Sequence, residues 1–456
     1  MCRSKRNWAM IIIFICLGLL FWGCSQSSEG NSNTENRTNN INNNEENVDE
    51  VTLEEWDDNG EPVTVKVLYP WGEDNFESDI VEKFQDEIPK NITLECVCTA
   101  AQLESLEEMN ANEITPDIMF ANWGIDDLVE LGMLEPIDDY VEKYGVDLSE
   151  FDESVIATYR AMDPDGEGQL IGLPTFVDTV GLFYNKEIFD LFGVSYPDPE
   201  NPMTWSEVLD LAVQMTEERN GVQYYGLEMG AGLTTEEATF PLREFGINLT
   251  DPDTGNVLIS ESPEFKQYVE FMDKLYSIPG LYDPSDEARE IDRFAEKSAA
   301  MNISWPGYLR WGLGGDPKDV ENVGVAPIPV WEEGGKGPQL YAHPYVLNKY
   351  GENKDAGFQV MLAIAKVDAM DPLTSPYTEF SPNSNNENYP LYEEKNMKVF
   401  WNYEGAIPPK KISKWDDYVD VEGSLPRLGE GNMDINEFLR VLKEESEIKI
   451  KETKLK

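Results

Sequence analysis

Three kinds of residue in this chain could do chemistry: a cysteine near its start, tryptophans set beside glycine, and carboxylates in abundance. Cys24 follows Gly23, and a small residue directly before a cysteine suits a lipoprotein signal peptidase, which cleaves there after the thiol is acylated. Trp71 and Trp123 stand in Pro70-Trp71-Gly72 and Asn122-Trp123-Gly124, where a turn can present a flat indole face to a ligand. Cys96 and Cys98 sit two apart on an expected strand, so both point to one face, where a bridge between them would be strained. Buried free thiols are the expectation, and no histidine or further cysteine is at hand to complete a metal site around them.

Several reactions lack their parts. No Gly-x-Ser-x-Gly elbow supports serine hydrolysis, and no His-Glu-x-x-His supports zinc hydrolysis. Asp251-Pro252-Asp253-Thr254-Gly255-Asn256 begins like a calcium loop, but Ser262 occupies the twelfth position, where a bidentate glutamate belongs. A hairpin turn with Gly255 at positive φ fits that stretch better. No catalytic residue, metal or cofactor is expected. A secreted glycoside hydrolase stays open as an alternative, since two carboxylates about 5 to 9 Å apart would suffice. Carboxylates are so common here that chance pairs carry little weight.

The elements that would hold these residues begin with an export signal. Arg3, Lys5 and Arg6 precede an apolar run from Ala9 to Trp22, shorter than the roughly 20 residues a spanning helix needs. The bulky Phe21 and Trp22 depart from the usual lipidation pattern. Ser25 to about Asp58 is Ser, Asn and Glu with hardly an apolar residue, and reads as a flexible tether. The formal net charge of −53 argues against nucleic acid as a partner. Its spread along the body suits a soluble acidic surface.

The body exceeds the roughly 250 to 300 residues of a single core and predicts two domains. Val63, Val65, Val67 and Tyr69 alternate as a half-buried strand requires. Phe76, Ile80 and Phe84 then predict a helix face. A strand over Ile92 to Val97, a helix over Leu103 to Met109 and an apolar run at Asp117 to Ala121 continue the alternation, which indicates a mainly parallel sheet covered on both faces. Such sheets bind ligands at the carboxyl ends of their strands, where Trp71 and Trp123 fall. Thr204-Trp205-Ser206-Glu207 is a capping box, followed by a helix burying Trp205, Val208, Leu209 and Ala212. Ser262-Pro263 opens another helix, with Phe265, Val269, Met272 and Tyr276 inward. Trp205 and Trp311 read as packing residues.

Asp117-Ile118-Met119-Phe120, Gly172-Leu173-Pro174, the run from Asp178 to Lys186, Thr204-Trp205-Ser206-Glu207, the run from Ala300 to Gly307 and the run from Gly324 to Pro329 together resemble, in order and spacing over residues 60 to 450, the extracellular solute-binding proteins of sugar-type ABC importers, the family that includes maltose-binding protein. The resemblance implies an α/β fold of two lobes, each a mainly parallel sheet flanked by helices, joined by a hinge that closes on the ligand. It divides the chain into a signal peptide at 1–23, lipidated Cys24 with its tether to 58, lobe 1 at 59–176 with 340–388, and lobe 2 at 177–339 with 389–456. The implied function is capture of a mono- or oligosaccharide and its delivery to an ABC permease, by a monomer anchored by lipid to the outer face of the cell membrane. A carbohydrate-binding adhesin without transport is the alternative from a third class.

Sugar sites need aromatic platforms for ring faces and carboxylates or amides for hydroxyls. By the resemblance, Trp71 and Asp74 lie in the first contact loop, Asn122 and Trp123 in the second, and Asp178 at the crossover between lobes. Trp305 and Tyr308 occupy a motif whose aromatic members stack on sugar rings. Glu237 and Phe240 match a cleft helix, and Trp415 a position near the C-terminal helices. Tyr341 and His343 begin the segment that returns to the first lobe. His343, the only histidine, has a rival reading that such residues more often fit, a satisfied structural residue.

Overall fold

The computed structural model describes residues 60–455, apart from 122–124, 152, 231–232, 234, 284–290, 340, 369–394, 402–403 and 432. Cys24, the tether, Asn122 and Trp123 lie outside the described residues.

The first sheet is built around β1 (Val63–Leu68), whose Val65 and Val67 are fully buried as the alternation requires. It runs parallel to β2 (Ile92–Val97) on one side and β3 (Ile118–Phe120) on the other. The predicted helix face between β1 and β2 is present: Phe76, Ile80 and Phe84 are all buried, with the winding widened over Glu77–Val81. The sheet continues through strands returning from elsewhere. β12 (Tyr341–Asn348) pairs antiparallel with β3, with β4 (Leu134–Glu135) and with β5 (Leu173–Asp178). The helix Lys354–Asp368 closes the core over this sheet with Phe358, Met361 and Ile364.

β5 ends at Asp178, and β6 (Gly181–Asn185) begins three residues later in a second sheet, so the chain crosses between lobes at Thr179 and Val180. The hairpin β7 (Glu217–Arg219) and β8 (Val222–Tyr224) precedes β9 (Glu228–Met229). β10 (Met301–Ser304) and β11 (Val323–Pro327) flank β6 antiparallel, and β10 pairs parallel with β9. The second core gathers Trp205, Val208 and Ala212, then Phe265, Val269 and Met272, and Phe438, Leu442 and Ile450 of the long last helix Ile435–Thr453. Both predicted helix starts form. Thr204 and Glu207 make the reciprocal capping bonds, and Ser262 Oγ accepts from the Phe265 amide at 3.1 Å.

Two expectations are corrected. Each sheet is mixed where a mainly parallel one was expected, because the strands that cross between lobes, β12 and β6, enter against the local direction. Cys96 and Cys98 are joined by a disulfide. The strand ends at Val97, so Cys98 leaves the pleat: Thr99 donates to the Val97 carbonyl at 2.9 Å, and the two Cα atoms come to 5.3 Å, within disulfide reach. The Asp251 stretch is the expected hairpin turn. Asp251 Oδ1 accepts from the amides of Asp253 and Thr254, and Gly255 sits at φ 68°.

Candidate functional site

The first lobe presents an aromatic stack at the carboxyl ends of β1 and β3. Tyr69 is buried and its hydroxyl donates to Asp79 at 2.9 Å, which fixes the ring. Trp71 sits on it edge to face at 5.2 Å and leans on Phe120 at 5.4 Å, and Phe120 packs against Tyr345 of β12 at 4.9 Å. The top member, Trp71, stays 43% exposed while Tyr69, Phe120 and Tyr345 beneath it are at 2% or less. Gly72 takes φ 87°, a conformation glycine adopts freely, and lets the chain turn straight from Trp71 into the helix Glu73–Phe76. Asp74 lies exposed in the first turn of that helix, beside the platform. Asn75 Nδ2 donates to the Trp71 carbonyl at 2.7 Å and steadies the turn.

At the crossover, backbone pairing places Asp178 opposite Tyr341 and His343 opposite Phe176. A bulge between His343 and Pro344 is stitched by Thr175, whose hydroxyl donates to the His343 carbonyl at 2.8 Å. His343 is 4% exposed, which places it in the sheet and not on an open wall.

The second lobe's wall starts where β10 ends. Ser304 pairs with Gly181, the first residue after the crossover, so Trp305 emerges at the interlobe edge. Its ring meets Phe240 edge to face at 5.0 Å, and Phe240 is buried beneath it. Glu237 bonds Thr235, and both pack where a Cβ on Gly230 would stand, so that glycine at φ 65° is required there. Arg243 pairs with Glu236 at 3.4 Å. Tyr308 is not an open platform: its hydroxyl donates to both Asp292 oxygens at 2.7 Å, and its ring packs on Phe183 and Phe294. Trp415 covers the Gly255 turn, with Lys454 at 4.6 Å from its ring, and so serves the C-terminal packing.

One aromatic read as core or surface packing stands on the surface. Trp311, read as packing, is 78% exposed, and its indole folds back over Gly307, 3.3 Å from where a Cβ would be. Long side chains on helices lean toward the N-terminus, so the Trp311 indole lies back over Gly307, two residues from Trp305 in sequence. The signal in the sequence was the bare Gly307 four residues earlier.

The lobes also touch directly. The Gln339 amide donates to the Arg243 carbonyl at 3.3 Å, while its side chain reaches Thr158 at 3.4 Å on the first-lobe helix Glu153–Ala161. Ile412 donates to the carbonyl of Ala161 at 2.8 Å. Two depressions on the second lobe, of about 760 and 340 Å³, include none of these aromatic platforms in their lining. The larger is crossed by the Lys398–Glu200 ion pair and lined mainly by glycine, proline and glutamate, without the flat apolar face a sugar ring needs. No group of three metal-ligating side chains occurs among the described residues.

The family of bacterial extracellular solute-binding proteins matches residues 104–370, more than half of the chain. An arabinooligosaccharide-binding protein of Halalkalibacterium halodurans is 25% identical over 216 residues, 44% of this chain and 43% of that one. Putative binding proteins of Brucella abortus are 23% identical over 54% of this chain and 56% of their own. The chain thus spans about half the length of the curated relatives it matches. Among solved structures, the sugar-binding protein MalE of Xanthomonas citri superposes with a TM-score of 0.68 at 22% identity, over 86% of this chain and 99% of that one. An ABC substrate-binding protein of Listeria monocytogenes, in complex with cycloalternan, gives a TM-score of 0.59 at 17% identity, over 85% and 98%. The shared fold is two-lobed.

Proposed function

We propose, on the premise that this chain belongs to the family of bacterial extracellular solute-binding proteins, that it captures a carbohydrate between its lobes and hands it to an ABC permease. The family and its structural neighbours are binding proteins, not enzymes. The observation that carries the carbohydrate reading is a pair of aromatic platforms, each raised on buried aromatics. Trp71 stands on Tyr69 and Phe120, and Trp305 on Phe240. An indole held rigidly by packing presents its face to a sugar ring at little cost in side-chain entropy. The names of the relatives, arabinooligosaccharide-binding and sugar-binding, support the same class.

In this reading Trp71, Trp305 and Trp311 hold ring faces. Asp74, Glu237 and Asp178 supply acceptors for hydroxyls, together with Asn122, Trp123 and, at the start of β12, Tyr341. Phe240, Tyr308 and His343 support the walls, while Trp415 packs the C-terminal helix against the Gly255 turn. Cys24 carries the lipid that keeps the receptor, on its Asn-rich tether, beside the permease on the outer face of the membrane.

A panel of mono- and oligosaccharides, read by calorimetric titration and thermal melting, tests this. At least one sugar should raise the melting temperature by ligand linkage, with no product released. Trp71→Ala and Trp311→Ala should each weaken that sugar about tenfold or more, roughly the value of a lost stacking contact, without lowering the melting temperature of the free protein. Steady release of sugar products, or no binding across the panel, would overturn the reading.

A further inference from the structure

Behind the loop that carries Trp305, the buried carboxylate of Glu228 lies near the half-buried one of Asp292, with Arg293 alongside. Glu228 on β9 is 2% exposed, and its oxygens accept the backbone amides of Arg293 at 3.3 Å and Phe294 at 2.8 Å. Asp292, the preceding residue of that segment, takes the Tyr308 hydroxyl on both oxygens and the Ala295 amide at 2.8 Å. The Arg293 guanidinium turns aside, donating to the Leu281 carbonyl at 3.2 Å and lying 4.1 Å over the Tyr225 ring.

On β10, Asn302 pairs in parallel register with Glu228, so the two side chains leave the sheet on one face. Asn302 is 4% exposed; its side chain hydrogen-bonds the Tyr308 phenol, and its Oδ1 meets no hydrogen-bond donor among the described residues. A buried acceptor on the sheet face it shares with a buried carboxylate would be satisfied by a proton between them. Burial, with the Asp292 charge second, pushes the Glu228 carboxyl up to about 7, against the pull of the two amides and Arg293.

We propose that Glu228, Asn302 and Asp292 are a positioning set for the second-lobe wall: a proton held between Glu228 and Asn302 keeps the Arg293–Phe294 segment seated, and the Asp292–Tyr308 bond passes that placement to the loop carrying Trp305 and Trp311. The effect on ligand rests on the carbohydrate reading above; the effect on the fold does not. When the proton leaves, Glu228 and Asp292 repel each other at short range in a medium that screens poorly. The segment carrying Asp292 then moves away from β9, and Tyr308, packed on Phe294 at 6.1 Å, moves with it.

The groups facing Glu228 are Asp292 and Arg293 from its amide-donating segment, the Tyr308 phenol from the following helix, and uncharged Asn302 from β10. Burial pushes the Tyr308 phenol far up, so it stays neutral throughout. The Glu228 carboxyl is raised in the folded state above its ordinary 4.5. Its stabilising contribution is therefore complete below that ordinary value and is lost as pH rises through about 7.

The test melts the whole chain between about pH 5.5 and about pH 8.5 as wild type, Glu228→Gln and Asp292→Asn, with sugar titration alongside. Wild type should lose stability on the alkaline side that Glu228→Gln keeps, because the glutamine amide donates to Asn302 at every pH. Asp292→Asn should shrink the wild-type loss. Sugar affinity should fall about tenfold over the same interval in wild type alone. Equal alkaline losses in wild type and Glu228→Gln overturn the proposal. Should Glu228→Gln fail to fold, an undiminished loss in Asp292→Asn overturns it. A pH-dependent fold with pH-independent affinity overturns the link to the loop. A melting difference in a chain that binds no sugar sinks the carbohydrate reading and leaves the proton-held brace standing.

Discussion

Tyr159 and Tyr276 are both buried tyrosines, yet the same substitution should act on them with opposite sign. The Tyr276 hydroxyl donates to the Leu233 carbonyl at 2.7 Å, whereas the Tyr159 hydroxyl, fully buried in the first core, meets no partner among the described residues. Removing one member of a buried hydrogen bond costs about 1 to 3 kcal/mol, while removing an unpartnered group relieves a desolvation penalty. Tyr276→Phe should therefore lower the unfolding free energy read by urea titration, and Tyr159→Phe should leave it unchanged or raise it by up to about 1 kcal/mol. Clear destabilisation by Tyr159→Phe would reveal a partner for that hydroxyl. Residue by residue, the site was partly legible. Trp71 and Trp305 are marked by neighbouring proline and glycine, which break strands where ligands gather. Trp311 is less so, because the only local sign of its fold-back is the bare Gly307 four residues earlier. Tyr308 reads as a platform until Asp292, sixteen residues upstream, is seen to hold its hydroxyl.

Among elements, those legible in the sequence are the ones whose cause is local. The alternation of β1, the capping box at Thr204 and the Ser262-Pro263 start are each decided within a few residues, and each forms as expected. Strand direction is set by distant chain: β12 reaches the first sheet only after the second lobe has been built, so its antiparallel pairing leaves no local trace. The Cys96–Cys98 bridge belongs between these cases, since it turns on where β2 stops. It spans a sequence separation of 2, so it removes little freedom from the unfolded chain. Chain-entropy reasoning assigns so short a loop only about 1 to 2 kcal/mol, below the 3 of a fifteen-residue loop. Joint replacement of Cys96 and Cys98 by Ser should lower the melting temperature by only a few degrees. A loss large enough to prevent folding would mean that the bridge fixes the turn into the Trp71 loop, which β2 adjoins through the Tyr69 amide and the Val97 carbonyl at 3.1 Å.

For the whole molecule the dominant fact is charge: 88 acidic residues against 35 basic ones. Ion pairs such as Lys143–Asp355, Arg440–Glu444 and Lys443–Glu261 lie on the surface, where each contributes about 0 to 1 kcal/mol. Most carboxylates outnumber any cation that could pair with them, so long-range repulsion opposes the compact state. Added salt weakens both effects, and their balance decides the sign. At about 0.1 M the screening length is near 10 Å, long enough for pairs in contact to survive while repulsion across the surface is damped. Melting temperature should therefore rise as sodium chloride increases from low concentration to about 1 M, without the gain depending on any ligand. Sodium and potassium chloride should act alike, which separates screening from a bound cation, and sucrose at matched osmolality should reproduce only part of the gain. A melting temperature that falls with salt would show that the surface pairs outweigh the repulsion, and the acidic surface would then need a reason other than tolerance of ionic surroundings.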